Sequence, residues 1–481
     1  MLWMALHFRH LPLEVFARGT PETTPLAVAA SSSRIAAIVA TNRQSAERGV
    51  RCGMSVSAAW GLASDLRVVT RDEAAERAVL RRVAAWALQF TSISSVAEPM
   101  DVLLEVGRSL KLFGGLENLR KRIRNGLADL GYEASIACAP TPLAAQWFAR
   151  AGLEICIRHA DTLRHELEKL PISLLGCAPG TPAMLDRFGI HTVGECLRLP
   201  RAGLTRRLGE RFLENLDRAL GQLPDPRPPF VPPPTFNAAL PLPAPVEQSA
   251  ALLFAGRRLL AEFCGFMTAT GSGVQRLNFA LSHEDHADTH VTLSLVAATR
   301  DLDHLATILR ERLACLELPR PATVIALVAE QLFPFAARNL SFLPDVRDHA
   351  ETAARLIENL RARLGNRVVC GLTVRADYRP ECAWQVCEPG KAVAPAIPAA
   401  SFSRPLWLFA PPRLLTEAAS SPCWEGPLSL LAGPERIETG WWDENHVTRD
   451  YFVARNPAQS LLWIYRERNV EGKWYLHGVF G

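Results

Sequence analysis

The sequence predicts an α+β multidomain protein, and three observations predict it. At 481 residues, 48% of them hydrophobic, the chain is long enough for about three or four packed domains. Residues 96–150 carry a strand, a helix and a strand, and residues 235–332 fit a β-α-β-β-α-β order. Between them lies LPDPRPPFVPPP at 223–234, too rich in proline for a helix or a central strand, so it is expected to be a stiff, extended spacer at a domain boundary.

Taken in order, residues 1–16 open with a short apolar strand, Leu2 to Leu6. Glu14 follows a proline and either faces solvent or packs at a helix start. In 35–69, GVRCGM supplies two glycines for a helix C-cap and turn, and Arg43 is a surface arginine able to meet a phosphate. Residues 72–90 form a helix with Asp72 as N-cap and Val79, Val83, Trp86 and Phe90 on one face. Met100 to Val106 is an apolar run of buried-strand length. Asp101 and Glu105 share one face of it, about 13 Å apart at ~3.3 Å per residue, too far for one metal pair, and they read as ordinary polar strand residues. Leu116, Leu119, Ile123, Leu127 and Leu130 recur at helical spacing, Gly131 stops that helix, and Glu133 to Ala139 is the next strand.

Residues 166–222 are helical, with Gly176, Gly180, Gly189 and Ile190 in a glycine-rich turn and Arg201, Arg206, Arg207 and Arg211 adding positive charge nearby. Such a turn can set backbone amides against a DNA phosphate, a contact that is sequence-independent and salt-sensitive; the other reading is a helical subdomain with a solvated basic face. After the proline-rich run, the first strand near Phe236–Leu240 is weakly signalled. Helices are expected near 248–268 and 302–316, and strands near 274–282, 289–295 and 322–329. His283, His286 and His290 fall in a polar hairpin and are expected in solvent. Residues 333–350 read as a linker. Residues 351–481 hold seven tryptophans (Trp384, Trp407, Trp424, Trp441, Trp442, Trp463 and Trp474), the mark of a β-rich module or of an aromatic surface for a partner.

These segments resemble the Y-family (translesion) DNA polymerases. Residues 1–10 and 72–165 are similar to the palm, 11–71 to the fingers, 166–222 to a helix-hairpin-helix thumb and 235–332 to the little finger. Aligned on LLEV and ASIACAP, the family's catalytic Asp-Glu pair falls on Met100 and Asp101, its Asn-Lys pair on Thr141 and Pro142, and a further lysine on Gln146. The two Asp positions of its first strand fall on Ala5 and His7. The Tyr and Arg that contact the incoming triphosphate fall on Arg43 and Ala46. Two-metal phosphoryl transfer needs several carboxylate oxygens around hard cations, and these positions do not supply them. Asn339-Leu340-Ser341-Phe342-Leu343 resembles the peptide that docks on the bacterial sliding clamp, and Gln331–Phe335 is a second candidate. The GPERI, GWWD, RDYFVAR and WYLHG segments resemble the C-terminal domain of ImuB-type proteins, the inactive Y-family homologues of bacterial mutagenesis cassettes.

The resemblance implies a noncatalytic scaffold in damage-induced (SOS) mutagenesis and translesion synthesis. Its partners would be DNA, the sliding clamp, an ImuA-type RecA-like protein and an error-prone polymerase III alpha-type subunit. The ImuA-type partner is expected on 351–481, a tail whose deletion leaves the DNA-binding frame folded. The alternative is an active translesion polymerase with rearranged ligands, Asp101, Glu105 and Glu14. The net charge of +4 permits nucleic-acid binding without arguing for it. None of the eleven cysteines forms a CxxC pair, so no metal site or cofactor is expected, and the cysteines read as small buried hydrophobes. With no secretory leader and no membrane-spanning run, a reduced, cytoplasmic setting is the expectation.

Overall fold

β1 (Trp3–His7) is apolar on both faces, as a central strand covered on two sides must be. Met4 and Leu6 enter one core, Trp3 and Ala5 another. After α1 (Leu11–Ala17) come β2 (Leu26–Ala29), β3 (Ile38–Thr41), α2 (Arg43–Glu47), α3 (Val56–Leu62) and β4 (Arg67–Thr70), whose strands form a small sheet in the order β3-β2-β4. Buried Asn42 ties it together. Its Oδ1 accepts from the N–H groups of Ser45 (3.0 Å) and Leu26 (3.1 Å), and its Nδ2 donates to Thr24 O at 2.8 Å.

α4 (Glu73–Ala87), capped by Asp72, leads to β5 (Ser94–Ala97), β6 (Asp101–Glu105), α5 (Leu116–Leu130), β7 (Ser135–Ala139) and α6 (Pro142–Arg150). The main sheet runs β5-β6-β1-β7, antiparallel throughout. α4 and α5 cover the Met4/Leu6 face; α6 covers the other. α7 (Ala160–Glu168), α8 (Thr181–Arg187), α9 (Val193–Leu197), α10 (Arg201–Leu208) and α11 (Glu210–Ala219) follow and share the core of α6. The proline-rich run lacks regular structure yet is pinned: Phe230 N–H donates to Ser94 O at 2.7 Å, and Asp225 accepts from Leu143 N–H at 3.1 Å.

β8 (Phe236–Val246), α12 (Leu252–Thr270), β9 (Ser272–His283), β10 (His286–Thr299), α13 (Leu302–Ala314) and β11 (Ala322–Ala329) realise the β-α-β-β-α-β order in a sheet β10-β9-β11-β8. Trp86 of α4 lies between Gly126 of α5 and Gly265 of α12, and a Cβ on either glycine would overlap its ring. Arg82 Nε meets Glu262 Oε1 at 2.8 Å beside it. Gly265→Ala is therefore expected to cost about 1–3 kcal/mol by overpacking; urea titration of the purified variant reads this, and an unchanged midpoint would contradict the packing. His283 departs from the solvent position expected of it. It is buried, with Nδ1 3.2 Å from Pro321 O and Nε2 2.8 Å from Thr289 Oγ1, while His286 and His290 are exposed.

The structure, a computed structural model, describes residues 1–17, 24–175, 181–335, 346–365, 367–389, 404–418, 421–443, 445–468 and 472–480. They divide into two units, Met1–Arg363 and Leu364–Gly481. This corrects the expected boundary at 351. β12 (Phe333–Pro334) pairs with β9, and α14 (Val346–Leu364) meets the start of α13 through Arg355–Asp301 and Glu358–His304. Buried Glu358 accepts from Val296 N–H and contacts His304 Nε2, both at 2.5 Å, and Ala362 enters the core shared by α12, α13 and the β10-β9-β11-β8 sheet. The supposed linker 333–350 is thus partly strand and partly helix.

The second unit holds β13 (Gly371–Val374), β14 (Trp384–Cys387), β15 (Trp407–Leu414), β16 (Thr416–Ala418), β17 (Ser421–Cys423), β18 (Ser429–Thr439), β19 (Val447–Arg455), β20 (Leu461–Glu467) and β21 (Trp474–Val479). Its main sheet runs β15-β21-β20-β19-β18. Tyr451 stacks on Trp463 at 4.1 Å, and its OH lies 2.8 Å from His477 Nδ1. Burial, with Arg449 nearby, pushes the His477 imidazole down to about 4 against the pull of Glu381. A histidine that must fold neutral leaves stability intact above its unfolded value near 6.5 and removes it as pH falls from there toward 4. We expect this unit to lose roughly 2–3 kcal/mol between pH 7 and 4 through this group. His477→Gln should flatten that part of the urea-midpoint profile; an equally steep profile would contradict the assignment.

Candidate functional site

The register of β1 against β6 pairs His7 with Asp101 at the end of the main sheet, and α6 lays Gln146 and Arg150, one helical turn apart, over the same spot. Asp101 is fully buried (0% exposed). Its Oδ1 lies 2.8 Å from His7 Nδ1. Its Oδ2 accepts from Gln146 Nε2 (2.8 Å), Arg150 Nε (3.0 Å) and Arg150 Nη2 (2.7 Å). Burial alone would raise the carboxyl's pKa, but the hydrogen bond from His7 and the Arg150 guanidinium outweigh it and hold it below the usual carboxylate range. An ionised carboxylate only accepts, so His7 Nδ1 carries the proton in this contact.

Both oxygens of Asp101 are therefore engaged by side chains of the protein itself. Ala5, buried between Leu103 and Ala137, offers no donor atom. The residues present do not fit the two magnesium ions of a polymerase centre. Among the described residues, no three His, Cys, Asp or Glu side chains could together hold a metal ion.

The neighbouring positions serve the fold. Met100 O accepts from Phe8 N–H at 2.9 Å. Thr141 caps α6, and its hydroxyl donates to Ala219 O at 2.8 Å, with Pro142 buried in the first turn. Glu105, at the far end of β6, is also no ordinary strand polar residue: its Oε1 accepts from Leu2 N–H (3.3 Å) and Gly107 N–H (3.1 Å). Glu14 accepts from Glu133 N–H at 2.8 Å. The sequence placed His7, Asp101 and Gln146 without bringing them together, and it missed Arg150, whose only signal was its spacing from Gln146.

Arg43 and Ala46 line a cleft of about 720 Å³, together with Arg9, Arg67, Arg258 and Glu133. Arg43 is exposed, its Nε 2.9 Å from Glu47 Oε1. In the thumb-like helices Arg206, Arg207 and Arg211 are exposed, Arg207 lying 4.8 Å over the Phe188 ring, whereas Arg201 pairs with Asp217. Gly189 turns the chain at φ +71°. Gly176, Gly180 and the clamp-like peptide Asn339–Leu343 lie outside the described residues. The second clamp-like peptide is held down, since Phe333 and Pro334 pair with Gly273 and Ser272, and Phe335 N–H donates to Gly271 O at 2.9 Å.

The second unit separates its tryptophans. Trp463 and Trp474 are core; Trp384, Trp407, Trp441 and Trp442 are exposed. The β13–β14 ribbon pairs Leu372 with Val386 and Val374 with Trp384, all four exposed on one face. Buried Arg379 grips Asp377 (2.8 Å) and Asp443 (2.6 Å), fixing the turn that carries Trp441 and Trp442.

The impB/mucB/samB family matches residues 11–150. Protein ImuB of Caulobacter vibrioides (strain NA1000 / CB15N) is 28% identical over 461 residues, which cover 90% of this chain and all of that protein. Among solved structures, DinB from Sulfolobus solfataricus covers 70% of this chain and 100% of its own at 17% identity, with a TM-score of 0.40. A Y-family polymerase chimera, Dbh-Dpo4(243-245)-Dbh, covers 68% and 98% at 18% identity, with a TM-score of 0.41. At such scores no residue role is transferred from these structures. No described helix is long and apolar enough to cross a membrane. Residues 11–150, which hold Asp101 and its partners Gln146 and Arg150, are thus similar to the impB/mucB/samB family, in a chain similar to Protein ImuB over most of its length.

Proposed function

We propose that this chain is a noncatalytic Y-family homologue that acts as a scaffold in damage-induced mutagenesis. It joins DNA, the sliding clamp, an ImuA-type RecA-like protein and an error-prone polymerase alpha subunit. One observation carries the reading: the carboxylate at the end of β6 is held by a guanidinium, a carboxamide and an imidazole, where phosphoryl transfer needs oxygens open to cations. The active-polymerase alternative would draw on Asp101, Glu105 and Glu14, yet each of these spends an oxygen on the protein's own donors, and the first two stand at opposite ends of one strand.

DNA contact is assigned to the thumb-like turn with Arg206, Arg207 and Arg211, and Arg201 acts through its ion pair with Asp217. The clamp is assigned to Asn339–Leu343, since the pairing of Phe333 and Pro334 leaves the other peptide less free to enter a groove. Partner proteins are assigned to the exposed aromatic and aliphatic side chains of the second unit, Trp441, Trp442 and the β13–β14 face.

Pull-down of the full chain with the purified clamp tests the assembly. Wild type is expected to retain the clamp. Leu340→Ala and Phe342→Ala should each lower retention at least ~10-fold, as loss of a buried anchor worth about 2 kcal/mol does. Equal retention in both variants would discard this peptide.

A further inference from the structure

β7 places one thiol of the palm core beside another. Cys138 N–H donates to Ile155 O, and Ile157 N–H donates to Cys138 O, both at 2.9 Å. The segment around Cys156 therefore runs parallel to β7, with Cys138 and Cys156 directly paired. Neighbouring strands lie about 4.8 Å apart, inside the Cα separation of roughly 4.4–6.8 Å that a disulfide spans. The two thiols are near enough to shift each other's titration. Cys138 is buried, whereas Cys156 is half-buried and within reach of solvent. Arg120 sets its Nη1 3.9 Å from the Cys156 sulfur and is anchored there by Glu154 O (3.1 Å) and Glu117 Oε2 (2.8 Å).

We propose that Cys156 and Cys138 are a peroxide-sensitive pair that closes into a disulfide. The Cys156 thiolate attacks hydrogen peroxide, breaking the O–O bond to give a sulfenic acid and hydroxide. The Cys138 sulfur then attacks the Cys156 sulfur, the S–O bond breaks, and the departing oxygen leaves as water with the Cys138 proton. Two thiols are oxidised, one peroxide is reduced to two waters, and thiol exchange reverses the bond.

The environments of the two sulfurs fit these roles. The hydrogen bond from Cys138 holds the Cys156 thiol down at about 7; burial opposes this and Arg120 assists it. The hydrogen bond to Cys156, together with burial, pushes Cys138 well up, as suits the thiol that keeps its proton until the second step. A thiol held below its ordinary range carries more thiolate near neutral pH, which is the form that attacks peroxide. Cys264, by contrast, is pushed up to about 12 by burial. The new bond would close the chain around α6, which carries Gln146 and Arg150.

The test uses the full chain, reduced and then titrated with hydrogen peroxide at pH 7. Non-reducing tryptic mapping should join peptides 125–150 and 151–158, each of which holds one cysteine. Two of the eleven thiols should disappear and return with dithiothreitol. Cys156→Ser should leave Cys138 reduced. Cys138→Ala, which keeps the buried site small and apolar, should leave Cys156 as a sulfenic acid trapped by dimedone. Arg120→Gln should slow the reaction without changing the melt. The proposal is overturned if Cys156 stays reduced at doses that oxidise exposed Cys52, Cys315 and Cys370, or if the bridges formed join other pairs.

Discussion

Arg150→Ala is expected to lower the stability of the first unit by about 3–5 kcal/mol at pH 7, a large share of what holds a domain folded. The mutation leaves Asp101 buried with its charge no longer matched, and that uncompensated charge is the source of the cost. Asp101→Leu combined with Arg150→Leu should recover part of the loss, because an apolar pair needs no compensation, while Gln146 and His7 each give up their bond to Asp101. The pH dependence carries a sign. In the wild type the carboxyl's pKa is depressed, so its contribution is present above the unfolded carboxylate value and is lost as pH falls through the folded one. Without Arg150, burial again favours protonation, so the gap between wild type and Arg150→Ala should narrow as pH falls from 7 toward 4. Urea midpoints across that range check it. A gap that widens on acidification would mean that Asp101 is not the charge being left unpaired.

Truncation after Gly365 is expected to abolish co-purification of the ImuA-type partner while the remaining chain melts like the intact first unit. Truncation after Ala350 should do the same to the partner but should also weaken that unit by at least about 2 kcal/mol. The difference is α14: Glu358 satisfies Val296 N–H and His304, and Ala362 fills part of the core around α12 and α13. This revises the expectation that everything beyond 351 can be removed without harm. Full partner capture by the shorter of these chains would show that the binding surface lies in the first unit. Identical melts for the two truncations would show that α14 contributes nothing there.

Where neighbouring residues decide the structure, the chain was legible. α5 begins at Leu116 and ends at Gly131 as its apolar spacing and stop require, and Asp72 caps α4. β8 was legible only to Leu240 because prolines follow. It continues to Val246 because it is the edge of its sheet, where proline loses no ladder bond. What distant segments decide was not legible. That Ala5 offers no donor atom could be read from residue type, but the partners of Asp101 could not: Asp101 and Arg150 meet only once β6 and α6 are packed. Likewise Glu358 looks like a surface residue of a polar helix until His304 faces it, and nothing in the tryptophan pattern separates core Trp463 from exposed Trp441.

With Asp101 held by Arg150, Gln146 and His7, the end of the main sheet is expected not to support nucleotide transfer. Primer extension by the pure full chain, with a primed template, all four deoxynucleotides, and magnesium or manganese, should then give no template-dependent product in either metal. Extension that Asp101→Asn abolishes would contradict that expectation, since a contaminating polymerase would be indifferent to that substitution.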